Sequence, residues 1–100
     1  MCEVVTILER ELNNTGLIYI YREGDGKWYA YEQSAFYLDQ MMPVLSIDRY
    51  VMENTLWLAR AEVDVDQIPR EYVISYSKTE CILHYAPHNG FHEWLSELEG

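Results

Sequence analysis

Apolar residues recur at helical spacing at the start of the chain: Val4, Val5, Leu8 and Leu12, with Glu3, Glu9, Arg10 and Glu11 between them. The pattern predicts an amphipathic helix over about residues 2–13. Asn13-Asn14-Thr15-Gly16 stops it, and Gly16 can take the left-handed cap conformation. The period then changes. Leu17–Arg22 and Lys27–Glu32 are rich in β-branched and aromatic residues and flank Glu23-Gly24-Asp25-Gly26, which predicts a β-hairpin. Two registers are open. A loop of Gly24-Asp25-Gly26 places Tyr21 opposite Tyr29 and Tyr19 opposite Tyr31. A four-residue loop from Glu23 places Ile20 opposite Tyr29.

Ser34 is read as the cap of a second helix over about 34–42, with Ala35, Leu38 and Met41 or Met42 as its stripe and Pro43 at its end. Val44–Val51 and Thr55–Val63 read as strands about Glu53-Asn54. Leu56, Ala59, Arg60 and Val63 also suit a helix, so the second run carries that alternative. Asp64–Arg70 is a loop, Tyr72–Ser77 and Glu80–Tyr85 a further hairpin about Lys78-Thr79, and Gly90–Leu98 a last helix with Phe91, Trp94, Leu95 and Leu98 on its apolar face. No repeat, linker or low-complexity stretch interrupts the chain. The expected fold is α/β of the α+β kind: one domain over residues 1–100, with a mixed, mostly antiparallel sheet of about six strands and three helices.

Composition narrows the function classes. Seventeen acidic and seven basic residues give a net charge of −10, which opposes general binding to phosphate backbones or anionic lipid and permits a basic partner. The two cysteines, Cys2 and Cys81, are too few for a secreted disulfide scaffold. No run is long enough for a membrane span, and the N-terminus lacks a signal-peptide core. The expectation is a cytoplasmic protein with no membrane contact.

Candidate chemistry is sparse. His88 and His92 have the four-residue spacing of zinc ligands on a helix, but His84, Glu93 and Cys81 complete no known ligand set. Surface polar residues or a helix cap account for them. Asp64 and Asp66 form a paired carboxylate that a solvated loop also explains. Cys81 and His84 lie three apart, on opposite faces if both sit in one strand, so Cys81 reads as a small buried hydrophobe. No nucleophile elbow, Walker loop or dinucleotide cradle occurs. The expectation is no enzyme, no metal and no cofactor.

The hairpin is the remaining feature. Tyr19, Tyr21, Trp28, Tyr29 and Tyr31 fall within thirteen residues. Such strands either fill a core or offer a stacking or protein-binding platform, and only Arg22 and Lys27 supply nearby cations. Leu17–Ala35, with Arg22, Gly24, Asp25, Ala30, Tyr31, Glu32 and Ala35, resembles the mismatch-recognition domain, the first domain, of MutS-type DNA-repair proteins. Pro87, Trp94, Leu95 and Leu98 are similar to that family's C-terminal segment of the domain. The resemblance implies a MutS domain I-like fold. The family reads mismatches with a Phe-x-Glu motif; Lys27-Trp28-Tyr29 stands in its place, with one extra turn residue. The resemblance therefore carries the fold without the mismatch-reading pair.

The function expected is a non-catalytic interaction module that binds an unknown protein partner through Tyr21, Arg22, Lys27, Trp28 and Tyr29. The alternatives are a nucleic-acid-binding domain that contacts DNA through the 22–29 hairpin, with Trp28 as a stacking wedge, and an acidic DNA mimic. A basic patch formed by Arg22, Lys27, Arg49 and Arg60 would favour the nucleic-acid alternative.

Overall fold

A computed structural model describes residues 4–14, 16–51, 57–85 and 90–99. Helix α1 (Val4–Leu12) leads into the hairpin β1 (Leu17–Arg22) and β2 (Trp28–Tyr31), followed by α2 (Glu32–Met41). Strands β3 (Ser46–Val51), β4 (Trp57–Val63), β5 (Val73–Tyr76) and β6 (Glu80–His84) and helix α3 (Phe91–Glu99) complete the order, with two short 3-10 turns at Val65–Gln67 and Arg70–Tyr72. The strands form one sheet in the order β3-β4-β2-β1-β6-β5, and every neighbouring pair is antiparallel. Three helices and six strands match the fold class read from the pattern. Of the 55–63 run, Trp57–Val63 is strand, because β4 is paired to both β2 and β3; residues 55 and 56, and the Glu53-Asn54 turn expected before them, lie outside the described residues. The hairpin takes the register with Tyr21 opposite Tyr29.

The second helix starts earlier than Ser34. It begins at Glu32 directly after β2, with Tyr31 as its cap residue and no side-chain cap. Ser34 lies inside the helix, fully buried. The reason is local. Strand β2 is short, so its neighbours β1 and β4 both run on past its end, which leaves the N–H groups of Tyr19 and Ala59 without a β2 partner. The first turn of α2 fills both places: the Tyr19 N–H donates to Ser34 Oγ at 3.0 Å, and the Ala59 N–H donates to Glu32 Oε2 at 3.3 Å. Glu32 makes this turn with φ of 50°, a left-handed conformation that is uncommon for a residue with a side chain.

Strand alternation gives the sheet two apolar faces. One carries Ile18, Ile20, Ala30, Ala59, Ala61, Cys81 and Leu83, and α2 and α3 pack on it through Ala35, Phe36, Leu38 and Trp94. The alanines at its centre let α2 approach closely. The 64–72 segment crosses the same face from β4 to β5 and buries Ile68. The other face is the tyrosine face, where Ile7 of α1 packs with Tyr21, Tyr29, Tyr31 and Leu58.

Glu11 joins the two layers. It is 4% exposed on α1, and its Oε1 accepts the Ser34 backbone N–H at 2.7 Å while Oε2 accepts the Ser34 hydroxyl at 2.6 Å. Asn14 donates to the Leu17 carbonyl at 2.6 Å and accepts the N–H groups of Gly16 and Leu17, which closes the turn into β1. Among the described residues no buried side-chain N or O atom lacks a partner.

Candidate functional site

Strand alternation divides the five hairpin residues between opposite sides of the sheet. Tyr21 and Tyr29 are opposite one another on the tyrosine face and are buried; Arg22 and Trp28 are opposite one another on the helix-covered face. Lys27 is exposed in the turn, where its backbone N–H donates to Asp25 Oδ1 at 2.9 Å. A single contact surface made of all five does not form.

The tyrosine face is occupied by the protein's own groups. The Arg10 guanidinium lies 4.9 Å from the Tyr19 ring centroid and 5.8 Å from that of Tyr21. Arg60 lies 4.6 Å from that of Tyr29 and 5.1 Å from that of Tyr50. Each arginine is also neutralised, Arg10 by Glu80 at 2.6 Å and Arg60 by Asp48 at 2.8 Å. The phenols of Tyr29 and Tyr31 donate to Asp25 and Glu23 and so brace the hairpin turn. Burial, reinforced by Glu23, holds the Tyr31 phenol above its ordinary pKa. Among the described residues, the rings of Tyr19, Tyr21, Tyr29 and Tyr50 are thus engaged by the protein's own arginines.

Nor do Arg22, Lys27, Arg49 and Arg60 form one patch. Arg60 faces the tyrosine side in its ion pair with Asp48, whereas Arg49, opposite Ala59, lies on the other side over Trp57, 5.7 Å from its ring centroid.

Trp28 has a different setting. It stacks on Tyr76 of β5, with centroids 5.8 Å apart and planes 29° apart. Tyr76 is 61% exposed and also lines a groove of about 600 Å³ with Val65, Asp66, Ile68, Arg70, Val73 and Cys81. The groove lies between the crossing 64–72 segment and strands β5 and β6. Its floor is apolar, and a carboxylate and a guanidinium stand among its lining residues. Sequence reading missed it because its walls come from segments far apart in the chain. The two signals available in the sequence were the aromatic Tyr76 and the charged loop.

The remaining candidates resolve individually. Asp64 accepts the Asp66 N–H at 3.0 Å and caps the first 3-10 turn, so the paired carboxylates are turn chemistry. Cys81 is buried and His84 exposed; burial pushes the Cys81 thiol up, away from the thiolate a nucleophile needs. His92 is exposed on α3, and His88 and Cys2 lie outside the described residues. Among the described residues no cluster of three His, Cys, Asp or Glu could hold a metal ion, and no helix is long and apolar enough to cross a membrane.

An antiparallel sheet with a helix-covered face and a tyrosine face, and a groove beside a stacked aromatic pair, make this a mixed α+β fold. Comparison with known proteins returns no match to a family model, a curated protein or a solved structure.

Proposed function

We propose that the chain is a non-catalytic, protein-binding module on a MutS mismatch-domain-like fold. It seats an extended segment of its partner on the Trp28–Tyr76 pair and in the groove beside it. The observation that carries this reading is an exposed aromatic stacked at an apolar-floored groove of about 600 Å³. That volume lies within the range of specific binding sites. Strand β5 is also the end strand of the sheet, so its outer edge can take an added strand. The protonated, buried Cys81 at the groove floor supports binding over covalent chemistry. A cytoplasmic setting agrees with that free thiol.

The test is affinity capture from nuclease-treated and untreated lysate, with the wild type and with Tyr76→Ala. The expected result is a specific protein retained after nuclease treatment and lost with Tyr76→Ala. Nucleic acid without protein in the untreated eluate would sink the reading in favour of a nucleic-acid contact through residues 22–29.

A further inference from the structure

Helix α1 has a light hold on the rest of the molecule. Its Ile7 is buried among Tyr21, Tyr29, Tyr31 and Leu58, whereas Val5, Glu9 and Leu12 are exposed. At nine residues it is too short to persist as a helix on its own. Its other anchors are polar. Arg10 lies over Tyr19 and Tyr21 and reaches Glu80, in an ion pair that is partly exposed and therefore weak. Glu11 turns inward and meets Ser34 of α2 through both carboxyl oxygens.

The groups that face Glu11 decide what its charge does. From α2 come the Ser34 N–H and hydroxyl, the Glu32 carboxyl and the Tyr37 phenol, and Asn14 adds one N–H from the turn after α1. Across a cleft of about 220 Å³, α3 contributes His92. Glu32 lines the same cleft and is half-buried. Among the described residues no cation is paired with either carboxyl, and Arg10 is turned to Glu80.

A proton on Glu11 removes the charge from this junction. Losing that proton leaves an anion buried beside a second carboxyl without a counter-charge, and lifting α1 is the direct way to return it to water. We propose that α1 is a pH-gated flap: with Glu11 protonated it stays docked on the tyrosine face, and with Glu11 ionised it opens about the turn at Asn14 and uncovers Tyr19, Tyr21 and the seat of Ile7. Opening is local, because the core on the helix-covered face takes none of its described residues from α1. Burial, with repulsion from Glu32, raises the Glu11 carboxyl from 4.5 to about 7 against its hydrogen bonds. The flap is therefore closed in acid and loosens as the pH rises through neutrality. A protonated His92 would attract the carboxylate and oppose this trend, so the histidine is not its source. The flap shares no residue with the Trp28–Tyr76 groove, and the two readings stand or fall separately.

Native-state hydrogen exchange read by NMR tests it, with protection corrected for the intrinsic rise of exchange with pH. From about pH 5 to 8 the protection of α1 amides should fall at least about tenfold relative to those of β1 and β6. A carboxyl moved from 4.5 to about 7 admits up to roughly 300-fold in all. The carbon-13 shift of the Glu11 carboxyl should titrate over the same range. Glu11→Gln keeps the shape without the charge and should hold α1 protected at both ends of the range. His92→Ala should leave the loss of protection in place. Protection that falls alike in α1 and in the core strands would mean global loosening and overturn the proposal. So would a loss that survives Glu11→Gln, or one that disappears with His92→Ala. Should Glu11→Gln not fold, the wild type decides alone: flat α1 protection, or a Glu11 midpoint near 4.5, overturns the flap.

Discussion

Glu11 shows how much one position can depend on its tertiary surroundings. In the sequence it is one of several acids on an amphipathic helix. In the fold it is buried where two layers meet, and desolvation raises its pKa from 4.5 to about 7 against the lowering effect of its Ser34 and Asn14 hydrogen bonds. No basic group enters the balance; Glu32 on α2 adds repulsion. A carboxyl with a folded-state pKa above its unfolded value holds its proton more tightly when folded. Its contribution is therefore most favourable below pH 4.5 and is lost as pH rises to about 7. The full difference is roughly 3 kcal/mol. Glu11→Gln removes that dependence. Urea denaturation should show the variant gaining on the wild type by up to ~3 kcal/mol between pH 4.5 and 8; parallel curves would mean that Glu11 ionises at little cost. Nothing in the local sequence marks this residue, because the Ser34 that receives it is twenty-three positions away.

At the scale of elements, the hairpin was the most legible part of the chain. Its alternation, its glycine turn and one of its two registers all appear in the structure. Gly26 holds φ of 83°, where a Cβ would meet no atom within 4 Å; Gly24 has equally open space and no such angle. Gly26→Ala should therefore cost about 1–2 kcal/mol through backbone strain alone. Gly24→Ala should be neutral or stabilising by up to about 1 kcal/mol. Equal losses at both sites in thermal denaturation would argue against the assigned turn. The start of α2 was the least legible boundary. Ser34 has the composition of a cap, yet the helix begins at Glu32 because β1 and β4 each need a group where β2 ends. That demand arises only once three strands are side by side. The strand-or-helix ambiguity over 55–63 is of the same kind. Leu56, Ala59, Arg60 and Val63 have a spacing that also suits a helix, and the pairing of β4 with β2 and β3 decides for strand over Trp57–Val63.

At the scale of the molecule, a net charge of −10 on a domain of this size favours expansion through self-repulsion, and only two ion pairs are formed among the described residues. Both are partly exposed and worth about 0–1 kcal/mol each. Screening the repulsion should outweigh weakening the pairs, so the melting temperature should rise by a few degrees between low salt and about 0.3 M. About 1 kcal/mol corresponds to ~4–8 °C for a domain of this length. A fall in melting temperature would mean that the pairs and their stacked tyrosines contribute more than the net charge removes. The sequence by itself determined the order of helices and strands, the acidity and the hairpin, because periodicity and turn chemistry are properties of neighbouring residues. Only the tertiary structure decided where the aromatics point. Alternation separates Tyr21 and Tyr29 from Arg22 and Trp28, and distant arginines cover the tyrosines. The crossing 64–72 segment brings Tyr76, Arg70 and Cys81 to one groove. A site assembled from strands that are neighbours in space but not in sequence leaves no local pattern, since the forces that define it act across the sheet.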